Sequence, residues 1–219
     1  MASIKAFVSW SGGKDSALAC YRAIKEGIHV CYLLNMLRED GTKSRSHGLT
    51  REILVAQAEA MGIPILQKKA SWGSYEKAFK EAVSELKAQG INAGVFGDID
   101  VEEHRAWIER VCREVEVKPF LPLWLLGREG LMKEFINAGF KAVVCAVNAS
   151  FLGPEWLGRE VNYDFLEELK KLGTVDLCGE KGEYHTFVYD GPLFKHPVKF
   201  TLGKVYSQNN KFFIEVQRG

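Results

Sequence analysis

An apolar run, Ile4–Trp10, passes directly into Ser11-Gly12-Gly13-Lys14-Asp15-Ser16. Beyond it, Ala17, Cys20, Tyr21 and Ile24 fall on one helical face, and Gly27 ends the pattern. The chain therefore begins as strand, two-glycine turn and helix. Such a junction aims unhindered backbone amides, the positive end of a helix and a compact ammonium at one small volume, which suits a pyrophosphate. The spacing is not Walker A, because no four-residue spacer separates a glycine from a Gly-Lys-Ser/Thr end. Nor is it the dinucleotide fingerprint G-x-G-x-x-G. Ser11, Gly12, Gly13, Asp15 and Ser16 are the candidate phosphate contacts, with Lys14 beside them.

The same alternation continues. Strands are expected at Ala6–Trp10, His29–Leu34, Ile65–Lys68, Gly94–Gly97 and Val117–Phe120. Between them, three helical faces are marked by Leu49, Ile53, Ala56 and Ala60, by Tyr75, Phe79, Ala82 and Leu86, and by Ile108, Val111, Cys112 and Val115. Gly62 and Gly90 supply stops. The pattern predicts an α/β fold, a parallel sheet with helices on both faces and ligands at the carboxyl ends of its strands. The glycine loop, Asn35-Met36 and Gly97-Asp98-Ile99 all lie at such ends. Past Pro119 and Pro122 the character changes near residue 125. A helix is expected over Glu129–Ala138, a strand at Ala142–Val147 and a helix over Tyr163–Leu172. Strands then follow at Thr186–Tyr189, Lys199–Val205 and Phe212–Val216, the last two joined by a turn at Gln208-Asn209-Asn210. The expected division is an ATP-type nucleotide domain over 1–125 and a smaller α+β substrate domain over 126–219.

Among 219 residues, 29 basic and 28 acidic side chains nearly cancel, so no global electrostatic grip on nucleic acid is expected. Five cysteines without a C-x-x-C pair argue against a disulfide framework or a zinc ribbon, and Cys20, Cys31, Cys112 and Cys145 read as buried small apolar residues. No leader or long apolar segment is visible, so a cytoplasmic protein without membrane partners is expected. Arg38–His47 is strongly polar. It reads as a solvated loop or as a lid bringing Lys43, Ser44, Arg45 or His47 to phosphate or substrate.

A second dense stretch is Cys178-Gly179-Glu180-Lys181-Gly182-Glu183-Tyr184-His185-Thr186-Phe187. Gly-Glu-Lys-Gly-Glu alone would be a solvent-facing turn. Tyr184-His185-Thr186 just ahead of an apolar strand adds a histidine able to move a proton near neutral pH and a glutamate, Glu183, to orient it.

The first loop resembles the PP-loop, Ser-Gly-Gly-x-Asp-Ser, of the ATP pyrophosphatases, which split ATP into AMP and pyrophosphate while adenylating an oxygen of a second substrate. The resemblance implies a Rossmann-like fold in which Ser11, Gly12, Gly13, Asp15 and Ser16 hold the pyrophosphate end of ATP. It also implies Mg2+ with Asp15 as its ligand, and Asn35, Met36, Gly97, Asp98 and Ile99 around the nucleotide. With Gly97-Asp98-Ile99, Pro122-Leu123-Trp124 and the Glu183-Tyr184-His185-Thr186 segment, the chain up to about Phe187 is similar to the diphthine–ammonia ligase, or diphthamide synthase, family. Lys181 stands where that family has the second glycine of Glu-Gly-Gly-Glu. The resemblance implies amidation, by ammonium and ATP, of the carboxylate of diphthine, a modified histidine of translation elongation factor 2. It implies Ser44, His47, Trp124, Glu180, Glu183, Tyr184, His185 and Thr186 on the substrate side, and Lys14, Asp15, Glu183 and His185 as catalytic residues. Trp124, Trp156 and Tyr184 are candidates to cage the trimethylammonium group of diphthine. The alternatives are a PP-loop enzyme that adenylates a tRNA base and a nucleotide-binding sensor.

Overall fold

The computed structural model describes residues 4–45 and 47–219. Its first sheet contains β1 (Lys5–Ser9), β2 (His29–Leu37), β3 (Ile65–Lys69), β4 (Ala93–Val95) and β5 (Lys118–Phe120), in spatial order β3-β2-β1-β4-β5. Every pairing is parallel. Parallel neighbours need crossovers, and α1 (Lys14–Lys25), α2 (Arg51–Met61), α3 (Tyr75–Lys87) and α4 (Glu102–Glu114) supply them. The chain winds outward from β1 in one direction and from β4 in the other, so the switch point lies between these two strands. That is where open α/β sheets bind ligands.

Side chains alternate across β1 as the strand period demands. Ala6 and Val8 enter one core with Ala17 and Ile53, whereas Phe7 enters the other with Phe79, Phe96 and Val111. Phe7 meets Phe79 and Phe96 edge-on at 6.1 and 5.9 Å. The helices thus cover both faces, as the apolar periodicity requires.

The second sheet is antiparallel, β7-β6-β9-β8, built from β6 (Lys141–Asn148), β7 (Tyr184–Asp190), β8 (Phe200–Gln208) and β9 (Lys211–Arg218). It is accompanied by α5 (Arg128–Asn137) and α6 (Tyr163–Leu172). Asn209 and Asn210 adopt φ of 50° and 57°, the two left-handed residues that a tight hairpin requires. Val144 and Phe187 of this sheet belong to the same apolar cluster as Ala6 and Val8, so one core runs beneath both sheets. Among the described residues no helix is long and apolar enough to cross a membrane.

Three local expectations are corrected. Ile24, placed by periodicity on the buried face of α1, is 41% exposed, because that face is centred on Ala17, Cys20 and Ala23. Leu49 is buried but precedes α2, which starts after its cap Thr50. Cys31 is only half-buried, and all five thiols are unpaired.

Candidate functional site

The carboxyl ends of β1, β2 and β4 open on one cavity of about 430 Å³, whose wall includes Ser11, Asn35, Met36 and Asp98. Ser44 and His47 complete it from the segment after β2. The glycine loop lies beneath. Gly12 has φ +85°, and a Cβ there would come within 2.7–2.9 Å of Leu54, Leu49 and Gln57. A Cβ on Gly97 would come 2.9–3.0 Å from the backbone of Asp15 and Ser16, so only glycine lets β4 approach the start of α1.

Within the loop the hydroxyls serve the backbone. The Gly13 N–H donates to Ser11 Oγ at 3.2 Å, Ser16 Oγ donates to the Gly13 carbonyl at 3.0 Å, and the two hydroxyls share a hydrogen bond of 3.1 Å. The amides of Asp15 and Ser16 lie in the first turn of α1, where no intrahelical acceptor exists. With the helix dipole behind them they form an anion site.

The two sequence constellations meet here. The Lys14 N–H donates to Thr186 Oγ1 at 3.0 Å, and the Val188 N–H to the Gly12 carbonyl at 2.9 Å. Buried Gln57 locks the junction: Nε2 donates to the carbonyls of Gly12 (2.9 Å) and Val188 (2.6 Å), while Oε1 accepts from Trp10 Nε1 (2.9 Å). Asn35 Nδ2 donates to the Trp10 carbonyl at 2.8 Å, but its buried Oδ1 has no partner.

Several assigned residues brace this junction instead of facing the cavity. Lys14 turns away from it: its ammonium bonds the Asp15 carboxylate at 2.9 and 3.1 Å and the Cys178 carbonyl, and lies 5.0 Å from the centre of the Tyr184 ring. Burial works against that charge, but Asp15, Tyr184 and Cys178 together outweigh it and hold Lys14 above the ordinary lysine range. Glu183 is buried, and its carboxylate accepts the amides of Asp176 (3.3 Å) and Lys181 (3.0 Å). Tyr184 is buried with its hydroxyl on the Leu177 carbonyl at 2.5 Å. The expected aromatic cage does not form: Tyr184 and Trp156 are core residues packed on Phe165, and Trp124 lies outside the cavity under the Arg105 guanidinium. Aromatic faces on the cavity come from Trp72, Tyr75 and Trp107.

Glu180 does reach the nucleotide side. Its Oε1 accepts the Ile99 N–H at 3.2 Å, and its carboxylate, Asp98 and His104 bring ligand atoms within 4.8 Å of one another. Burial lifts Glu180 to about 7 against the pull of the Ile99 amide, and the Asp15 and Asp98 carboxylates add to the lift. Two carboxylates with a histidine suit a divalent cation. Asp15, paired with Lys14, is not among these three. Lys181 needs no left-handed backbone, unlike Gly179 and Gly182, so a lysine is accommodated there.

His47 and His185 lie against each other with ring centres 4.6 Å apart and planes tilted by 40°. Burial, with Lys14 and Lys211 nearby, depresses His47 to about 3; burial, His47 and the same lysines take His185 well below its ordinary value. Burial holds both rings in the neutral form, which leaves each a hydrogen-bond acceptor and a weaker base than a free imidazole. Ser44, Arg45 and His47 form part of the cavity wall, and the polar segment folds back on itself through antiparallel bridges Leu37–Ser44 and Lys43–Thr50.

Sequence reasoning missed Trp72, Tyr75, His104 and Trp107. The loop after β3 and the start of α4 lie on the same sheet edge as the motifs, and strand order was the signal that could have found them.

Residues 4–119 match the family described as diphthamide synthase N-terminal domain, and residues 127–219 match the diphthamide synthase C-terminal domain. Diphthine–ammonia ligase of Rattus norvegicus is 30% identical over 213 residues, covering 86% of this chain and 79% of that one. The Mus musculus and Homo sapiens proteins of that name are 31% and 28% identical, with the same coverage.

Proposed function

The chain belongs to the diphthamide synthase family, and from that premise we propose that it amidates the diphthine carboxylate of translation elongation factor 2. ATP and ammonia are consumed, and diphthamide, AMP and pyrophosphate are formed. The observation that carries this reading is the meeting of the glycine loop with the Glu183–Thr186 segment at Lys14–Thr186 and Gly12–Val188. A phosphate cradle and the substrate segment are thereby joined at one place.

A carboxylate is a poor electrophile. Its oxygen attacks the α-phosphorus, the bond to the pyrophosphate breaks, and an acyl-adenylate results. Negative charge then grows on the departing pyrophosphate, where the amides of Asp15 and Ser16 and the N-terminus of α1 are preorganised to stabilise it. On this reading Asn35, whose Oδ1 has no partner within the fold, is an acceptor available to the nucleotide. Asp98 and Glu180 would hold Mg2+ through carboxylate oxygens, and the ion would supply charge neutralisation on the phosphates. On this reading residues 1–125 hold ATP and residues 126–219 present the modified histidine, in the cytoplasm where the elongation factor works. Sulfur transfer to tRNA is disfavoured: Cys145 and Cys178 donate separately to the carbonyls of His47 and Arg128, and burial pushes the Cys178 thiol up to about 12.

The test is mass spectrometry of diphthine-bearing elongation factor 2 after incubation with the chain, ATP and ammonium. The amide is expected with ammonium, and none with glutamine as sole nitrogen source. No modified peptide, together with ATP turnover stimulated by tRNA, would replace this reading with base adenylation.

A further inference from the structure

The imidazoles of His47 and His185, 4.6 Å apart between ring centres, are not among the groups assigned above to the phosphates. His47 lines the cavity and leans on the glycine loop, its Nε2 lying 2.5 Å from where a Cβ of Gly13 would be. His185 sits behind it, next to Thr186, which caps α1. The Nε2 of His185 is sealed from solvent and has no hydrogen-bond partner. Leaving such a nitrogen unpaired is costly, and a buried polar atom beside a reaction cavity calls for a ligand. The nearby ammoniums are those of Lys211 and of Lys14, the latter paired with Asp15. The unpaired Nε2 calls for an N–H donor that need not carry a charge.

We propose that the His47–His185 pair is the binding site for the nitrogen nucleophile in its uncharged form, ammonia. This rests on the ligase reading and deepens it. His185 Nε2 accepts one N–H, with its own proton on Nδ1, and His47 borders ammonia on the cavity side. Donating N–H leaves the ammonia lone pair free. It attacks the carbonyl carbon of the acyl-adenylate, the C–N bond forms, the C–O bond to AMP breaks, and AMP leaves with that electron pair. The surplus proton passes to the departing phosphate. Ammonia, not ammonium, is the productive ligand, because it keeps a lone pair for attack while neutral imidazole offers it an acceptor.

The experiment separates two half-reactions. ATP–pyrophosphate exchange in the presence of diphthine-bearing elongation factor needs no ammonia, whereas amide formation does. In His185→Leu, exchange is expected to stay within about threefold while the KM for ammonium rises about tenfold or more, the loss of one hydrogen bond to a small ligand. His185→Gln, which restores an acceptor oxygen, is expected to recover most of that affinity. For the unaltered chain, KM expressed as free ammonia should stay constant over about pH 7 to 9, where KM as total ammonium falls. An unchanged ammonium KM in His185→Leu, or a rate that follows ammonium instead of ammonia, overturns the proposal. Should His185→Leu fail to fold, His185→Gln and the pH series decide alone. Absence of exchange in the unaltered chain overturns the ligase reading itself.

Discussion

Along Ser11–Ser16 the side chains are engaged inside the protein: Ser11 and Ser16 bond the loop, and Lys14 is tied to Asp15 and Cys178. What remains for a ligand is backbone, the amides at the head of α1. Along Cys178–Phe187 the division runs residue by residue. Glu183, Tyr184 and Thr186 are satisfied within the fold, whereas His185 keeps a buried nitrogen without a partner and Glu180 joins Asp98 and His104 at the cavity. Two motifs of similar density thus act differently. In the first, glycine geometry is the functional element and the charged side chain is a strut. In the second, Thr186 supports the first loop, Glu183 and Tyr184 brace their own segment, and Glu180 and His185 remain for the proposed chemistry.

The comparison breaks most readily at Gly12. Gly12→Ala requires a left-handed alanine and a Cβ within 2.9 Å of three side chains, so a loss of about 2–5 kcal/mol in urea unfolding is expected, with ATP binding lost as well. Unaltered stability and ATP affinity would mean that the loop is not held as described. Gln57→Leu should cost about 2–4 kcal/mol, since it orphans Trp10 Nε1 and withdraws a donor from two carbonyls at the junction of the segments. A smaller effect, about 1 kcal/mol with a few-fold weaker ATP binding by calorimetry, is expected for Thr186→Val, and Thr186→Ser should restore both. A Thr186→Val chain bound to ATP as tightly as the original would show that the second segment does not support the first.

An effect that is absent near neutral pH and grows only with acid is a pH dependence. His47 and His185 stay neutral when folded but take up protons near pH 6.5 when unfolded, so the unfolded chain binds more protons as pH falls. Their contribution to stability is therefore complete above about pH 6.5 and is lost progressively toward pH 3. Melting temperatures measured down that range should fall less steeply in a His47→Asn, His185→Gln double variant. Parallel curves would place the charged form of these rings in the folded protein.

Much of the fold is legible because it is written in local periodicity. The strands at His29, Ile65 and Lys141 and the helix Tyr163–Leu172 lie within a few residues of where apolar spacing puts them. Ile24 escaped because a helix face centred on small residues buries less width than the apolar pattern suggests. The loop Ser11–Ser16 was readable since all its chemistry is contiguous. Trp72, His104 and Trp107 were not, because they come from the loop after β3 and from α4 and become part of the cavity only through strand order. The roles of Lys14 and Glu183 were hidden for another reason: a charged residue in a motif looks the same whether it faces a ligand or is buried on a carbonyl or an amide.

The central claim is that the amides at the start of α1 grip the terminal phosphates so that the α-phosphorus is the one attacked. Quantifying nucleotide products while diphthine-bearing elongation factor 2 is amidated tests it most directly. One AMP and one pyrophosphate should appear for each amide formed, whereas ADP and inorganic phosphate in that ratio would contradict the account.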